Sequence, residues 1–355
     1  MTNTVTIPSN MLPEDGRFGS GPTKIRPEQI QALDKGARDL LGTSHRQTPI
    51  KQVVGSIREG LSEFFQIPDG YEVVLGNGGA SAFWDIACAS LITRKAAFGT
   101  YGSFSSKFAK SAQSAPFLEE PEIFAGEPGT YRLPELTEYV DTYCWAHNET
   151  STGVAAPIKR IAGTKEQGAL TLIDATSGAG ALPVDISQTD AYYFSPQKAF
   201  GSDGGLWIAV LSPAAVERAY GIAKSVDLPG ARRWIPPFLS LTSAIENSRK
   251  DQTLNTPAVA TLIMLENQVR WLNYYFSPQK AFGSDGGLWI AVLSPAAVER
   301  AYGIAKSVDL PGARRWIPPF LSLTSAIENS RKDQTLNTPA VATLIMLENQ
   351  VRWLN

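Results

Sequence analysis

Cysteine and histidine are scarce in this 355-residue chain, with two of each. Two thiols, Cys88 and Cys144, two imidazoles, His45 and His147, and no Cys-x-x-Cys pair argue against a structural zinc site. Both cysteines stand in apolar strings, DIACASLI and VDTYCWAH. They read as reduced core thiols of a cytoplasmic protein, with a disulfide between them left open. A basic excess is also lacking: 32 Lys and Arg face 34 Asp and Glu, a net charge of −2. That balance argues against a general nucleic-acid or membrane-surface binder and leaves room for a small anionic substrate held by a few arginines. There is no run of about 18 apolar residues, so no membrane span is expected. The N-terminal string MTNTVTIPSNMLPEDGRFG has neither a basic segment nor an apolar one of the secretory kind, so residues 1–15 read as a polar arm and the expected location is the cytoplasm. What is plentiful is hydrophobic residue, 43% against 19% charged, enough for a sizeable core in one large domain or two of ordinary size.

Residues 192–273, from YYFSPQKAFGSDGGLW to MLENQVRWLN, recur without a change as residues 274–355. Solenoid repeats are shorter and degenerate, so the identity reads as a recent tandem duplication or an error in assembling the sequence rather than as a repeat architecture. Residues 274–355 therefore carry no independent functional information. They form a third segment after the arm and a principal domain at 16–273.

Helix and strand signals alternate along that domain. Residues 26–41 start with Pro27 in the first turn and set Ile30, Leu33, Ala37 and Leu40 or Leu41 on one face; residues 50–65 repeat the period with Val53, Val54, Ile57 and Leu61. YEVVLGNGG reads as a strand entering a glycine turn, and ASAFWDIACASLI as a buried helix. A short strand, KAAFGT, and a helix, GSFSSKFAKSAQSA, follow. YVDTYCWAHNE, ALTLIDATSG, AYYFSP and GLWIAVLSP are β-rich runs bounded by turn residues, and AAVERAYGIAKS and the segment from Pro257 read as helices. Apolar strands spaced by helices imply an α/β fold, a mostly parallel sheet covered on both faces, with ligands at the carboxyl ends of the strands.

Four local patterns carry chemistry. In YYFSPQKAFGSDGGLW, Lys198 follows a strand and a Ser-Pro turn and precedes a glycine turn. On position alone it is a solvated turn lysine; its company suggests an amine that holds a carbonyl cofactor and then acts as a base. Asp174 closes the strand of LIDATSGAG, where a carboxylate either caps a turn or pairs with a protonated ring nitrogen. In VVLGNGGASAFWDIA, Gly79, Ala80 and Ser81 form a turn into a helix, either plain or an anion cradle. In AHNETSTG, Asn148 and Thr150 stand just past a strand end, as a turn motif or as cofactor contacts, and Phe104 in TYGSFSSKF is a core ring or a stacking platform.

Together these patterns resemble the fold-type I pyridoxal-phosphate (PLP) enzymes, and in detail the phosphoserine aminotransferase family of the actinobacterial kind. The matching strings are FGSGPTKI, GTSHRQ, GNGGASAFWD, HNETSTGV, IDATSGAG, YYFSPQKAFGSDGGLW and LNTPAVAT, spread over residues 16–273. The resemblance implies Lys198 as the Schiff-base lysine with Gln197 beside it on the PLP phosphate, Asp174 at the pyridine nitrogen and Ala80 and Ser81 on the phosphate. It further implies Phe104 stacked on the ring, Thr150 on the cofactor, and Asn255 and Thr256 reaching the phosphate of the neighbouring subunit, hence a homodimer. Arg46, with His45 beside it, would bind the substrate carboxylate. The implied reaction moves an amino group between L-glutamate and a phosphorylated 2-oxo acid, 3-phosphohydroxypyruvate, and serves serine and pyridoxine biosynthesis. In the family a small domain follows the helix ending near Asn273; here the second copy stands in its place. Another fold-type I aminotransferase, or a product that binds PLP without turnover, stays open. Only the first copy follows its own LIDATS strand, so Lys198 rather than Lys280 is the expected cofactor lysine.

Overall fold

The computed structural model describes residues 20–225, 233, 235–274, 298, 299, 302 and 323–332. The expected arm at 1–15, Lys280 and most of the second copy lie outside the described residues. The chain falls into two compact units with a boundary between Arg270 and Trp271.

In the first unit, β1 (Glu72–Asn77), β2 (Ala96–Thr100), β3 (Glu122–Ala125), β4 (Thr142–Ala146), β7 (Leu170–Asp174), β8 (Ala191–Phe194) and β9 (Leu206–Leu211) form one sheet. A separate two-stranded ribbon joins β5 (Asn148–Glu149) to β6 (Val154–Ala155). The order across the main sheet is β1-β9-β8-β7-β4-β2-β3. Strand β9 runs antiparallel to both its neighbours, and the remaining pairs are parallel. The fold is thus α/β with a mostly parallel sheet, and the carboxyl ends of β1, β2, β4, β7 and β8 share one edge. Every residue of β2, β4, β7, β8 and β9 is buried, as unbroken apolar runs require when both faces are covered.

The helices are α1 (Pro27–Leu40), α2 (Thr48–Phe64), α3 (Ala80–Ser90), α4 (Ser103–Ser114), α5 (Pro213–Lys224), α6 (Leu241–Ser248) and α7 (Val259–Tyr274). On one face Phe83, Ile86 and Ala87 of α3, Phe108 of α4, Ala215 of α5 and Ile245 of α6 pack with Val74, Phe98, Cys144, Leu172, Tyr193 and Trp207. On the other, α2 buries Ile50, Val54, Ile57 and Leu61, and Phe65 just beyond it meets Tyr192 edge-on at 5.6 Å and Phe194 at a tilt at 5.8 Å. Cys88 and Cys144 are free and buried, and burial pushes the Cys88 thiol up to about 12. The predicted apolar stripe of α1 is only partly covered: Leu33, Ala37 and Leu40 are half-buried and Ile30 is exposed. Its buried residue is the polar Gln29, whose amide donates to the carbonyls of Gly201 and Met264 and ties α1 to the loop after Lys198 and to α7.

Among the described residues no helix is long and apolar enough to cross a membrane. Among the described residues of the second unit is the helix α8 (Leu323–Ser330).

Candidate active site

Strands β1, β4, β7 and β8 each lead into polar residues at the shared edge. Strand β7 ends at Asp174, which is buried. Its Oδ1 accepts from Thr176 N at 3.0 Å and Thr176 Oγ1 at 2.6 Å, and its Oδ2 accepts from Trp84 Nε1 at 2.8 Å. Burial raises the Asp174 pKa above the ordinary carboxylate value, and these three donors oppose that rise.

Next to β7, strand β8 runs into Ser195, Pro196, Gln197 and Lys198. The half-buried Lys198 donates from Nζ to the Ser20 carbonyl at 2.7 Å, and burial lowers its pKa. Segment 20–23 crosses this lysine and is held by Thr23 N donating to Gln197 O at 2.8 Å. A side chain at Gly21 would stand 2.5 Å from Lys198 Cδ at a backbone φ of +112°, so the close approach demands glycine. The amide oxygen of Gln197 is buried without a hydrogen-bond partner.

Beyond β4 the turn His147–Thr150 is locked to the turn after β7. Ser177 Oγ accepts from Asn148 Nδ2 at 2.9 Å and Thr150 Oγ1 at 2.8 Å, and donates to Asn148 O at 2.9 Å. His147 is buried, its pKa lowered to about 4 by burial, with Nδ1 3.1 Å from the Tyr192 hydroxyl. Glu149, fully buried, accepts from the backbone of Phe104 and Ser105 at the start of α4. Phe104 is 40% exposed and so is not a core residue.

At the end of β1, Gly78 and Gly79 have φ of +112° and +74° and turn the chain into α3, which opens with buried Ala80 and exposed Ser81. Asn77 Nδ2 donates to Thr256 O at 3.0 Å, and Thr256 Oγ1 lies 3.1 Å from His45 Nδ1. This brings His45, Asn77 and Thr256 together, with His45 Nε2 and Asn77 Oδ1 buried and unpartnered. Burial, followed by the neighbouring Arg46, lowers the His45 pKa. Arg46 and Asn255 are exposed.

The sequence-predicted residues thus lie in three groups beyond the strand ends: Asp174, the Asn148–Thr150 segment with Phe104, which bonds to Ser177 after Asp174, and Lys198 with Gln197 beyond β8. The His45–Thr256 group is joined through Asn77 to the glycine turn. Trp84, Ser177 and Glu149 complete the arrangement and were not predicted. Glu149 and Ser177 sit inside quoted strings but carry no local mark of their partners, and Trp84 reads only as a core aromatic.

A family model described as aminotransferase class-V matches residues 18–281. The chain is 52% identical over 321 residues to a putative phosphoserine aminotransferase of Mycobacterium leprae, covering 90% of this chain and 79% of that protein. It is 56% identical over 273 residues to the phosphoserine aminotransferase of Corynebacterium glutamicum, covering 77% and 70%. Among solved structures, a phosphoserine aminotransferase from Cytophaga hutchinsonii aligns with a TM-score of 0.63 at 24% identity, covering 72% of this chain and 70% of that one. A ureidoglycine–glyoxylate aminotransferase from Bacillus subtilis aligns at 0.59 and 16%, covering 75% and 72%. These two likenesses give the fold, that of the fold-type I PLP-dependent aminotransferases, and the matched family model gives the membership: the chain belongs to the class-V aminotransferases.

Proposed function

We propose that the chain transfers an amino group between L-glutamate and 3-phosphohydroxypyruvate, giving O-phospho-L-serine and 2-oxoglutarate, with PLP as cofactor. The observation that carries this reading is the placement of a buried carboxylate, Asp174, at the end of β7 and of a half-buried amine, Lys198, in the loop that follows the adjacent strand β8. The residues present suit PLP. Gln197, Asn77 and His45 hold unpartnered buried polar atoms, the glycine turn leads into a helix start, and Phe104 presents an exposed ring.

In this reading Ala80, Ser81 and Gln197 hold the phosphate at the positive end of α3. Phe104 stacks on the ring and Thr150 contacts the cofactor's polar edge. Bound there, PLP supplies a carbonyl that condenses with amines and a ring that takes up the electron pair left when the substrate Cα–H bond breaks. Asp174 keeps the ring nitrogen protonated; its donors Trp84 and Thr176 hold the carboxylate ionised and aimed. Lys198, with its proton affinity lowered by burial, takes the proton from the substrate Cα and returns it to the product. Arg46 binds the substrate carboxylate with His45 beside it. Asn255 and Thr256 reach the phosphate of a second subunit, so the working form is a homodimer.

The test is direct. PLP added to the apoprotein should give a visible absorbance band, glutamate should bleach it, and 3-phosphohydroxypyruvate should restore it with release of O-phosphoserine. A band that glutamate leaves unchanged would reduce the chain to a PLP binder without transfer.

A further inference from the structure

We propose that Glu149 is a positioning residue that sets the Phe104 ring against the cofactor by clamping the start of α4 to the Thr150 turn. The proposal rests on the PLP reading above. Glu149 is a carboxylate with no exposure in a protein interior, where an ion is costly unless it is saturated with donors. Its donors come from two separate places. From α4, Phe104 N donates at 3.1 Å, Ser105 N at 2.8 Å and Ser105 Oγ at 2.8 Å. From its own turn, Ser151 N donates at 3.2 Å and Ser151 Oγ at 2.7 Å. Ser151 Oγ in turn accepts from Ser103 N at 2.8 Å, so the second shell of bonds closes on the same helix start. Burial pushes the Glu149 pKa up, yet the bonds from Ser105 and Ser151 outweigh it and leave it below the ordinary value. The group is therefore an anion at the positive end of a helix dipole.

The α4 N-cap, Gly102, has an extended backbone and contributes no side-chain cap. Glu149 does the capping from 44 residues away in sequence. Gly102 makes room for it, because a Cβ there would stand 2.3 Å from Glu149 Cγ. The clamp has one residue expected on the cofactor at each jaw: Phe104 on the helix and Thr150, next to Glu149 in the chain. A helix start with three donors left unsatisfied would shift or fray, and the exposed ring of Phe104 would lose its defined tilt.

The test uses the full-length chain and PLP, with Glu149→Gln, Ser151→Ala, Phe104→Ala and the double variant Glu149→Gln/Phe104→Ala. Two quantities are read: the PLP dissociation constant, and the visible circular dichroism of bound PLP, which reports ring orientation. Glu149→Gln should weaken PLP about two- to tenfold, the span of an aromatic stacking contact, and change the dichroism. Ser151→Ala, which leaves the carboxylate in place and removes one donor, should do the same to a smaller degree and serves if Glu149→Gln does not fold. In the Phe104→Ala background the Glu149→Gln effect should largely vanish. An equal loss of affinity in both backgrounds, or unchanged dichroism in the foldable variants, would overturn the clamp and leave Glu149 a plain helix cap. The wild-type titration decides the PLP reading separately, and hydrogen exchange of the Phe104 and Ser105 amides in the apoprotein reads the clamp without cofactor.

Discussion

Replacing Trp84 with Phe tests whether a hydrogen bond from α3 supports the ionised form of the buried Asp174. Trp84 Nε1 donates to Asp174 Oδ2 at 2.8 Å, while Thr176 occupies Oδ1. Phenylalanine keeps an aromatic ring in α3 and removes the donor. A hydrogen bond to a charged group is worth about 1.5–3 kcal/mol and one between neutral groups about 0.5–1.5 kcal/mol. The loss should therefore be larger when Asp174 is ionised. The sign follows from linkage. Burial raises the Asp174 pKa in the folded state, so this group's contribution is fully present below the unfolded value and is lost as pH rises through the folded one. Removing a donor to the charged form raises the folded pKa further and steepens that loss. The packing lost with the smaller ring is the same at every pH and cancels in the difference. Urea unfolding of the apoprotein, followed by far-ultraviolet circular dichroism, should show Trp84→Phe costing about 1–1.5 kcal/mol more at about pH 7.5 than at about pH 4. A cost that is flat with pH, or greater in acid, would refute the idea that Trp84 supports the ionised form.

Three further outcomes are expected. Borohydride reduction of the PLP-loaded protein followed by peptide mapping should place the label on the peptide whose upstream sequence is LIDATSGAG, carrying Lys198; label on the peptide that follows RWLN, carrying Lys280, would contradict the assignment. Ser177→Ala frees Thr150 and Asn148 together and should weaken PLP about three- to tenfold by spectroscopic titration, with unchanged affinity meaning that the turn does not touch the cofactor. Arg46→Ala should raise the glutamate concentration needed for half-maximal bleaching of the PLP band by about tenfold or more, as expected for a bidentate guanidinium–carboxylate pair, with PLP binding unchanged; equal loss of both would mean a folding role.

What could be read in advance was what the chain writes locally. Asp174 closes a buried strand and Lys198 follows another through a Ser-Pro turn, so strand end and candidate side chain appear in one string. The buried strands β7, β8 and β9 are continuous apolar runs and announced themselves. Strand β3 did not, because it is four residues long at the sheet edge with only alternate residues covered. Helix α6 has eight residues, two of them serines, too few for a clear period. The hidden site residues are those whose partners are remote. Trp84 finds Asp174 across 90 residues and Glu149 finds Ser105 across 44, and neither spacing leaves a mark in the sequence. The exposed Ile30 of α1 shows the reverse, since an apolar residue at the right spacing is left in the open while Leu33, Ala37 and Leu40 on the same stripe are half-buried.

The duplicated segment separates local from contextual causes within one molecule. LTSAIENS is helical in both copies, as α6 and as α8, so helix formation belongs to the octapeptide itself. Burial does not. Ile245 and Ser248 of α6 have no exposure, whereas the identical Ile327 of α8 is half-buried and Ser330 is exposed. The difference is supplied by residues outside the repeat. Ser248 Oγ accepts from Leu75 N of β1 at 3.0 Å. Strand β9 is paired by β1 on one side, and β8 by β7 on the other. Asp190, just before the repeat, accepts from Thr171 N and from Ser212 Oγ, both at 2.8 Å, and so pins the far ends of β7 and β9 together. The place between β7 and β1 is taken by one β8–β9 pair, Ala191–Phe194 and Leu206–Leu211. A lysine in this fold becomes a candidate for cofactor chemistry only where the strand before it lies beside Asp174. That place comes from β7, which the chain possesses once.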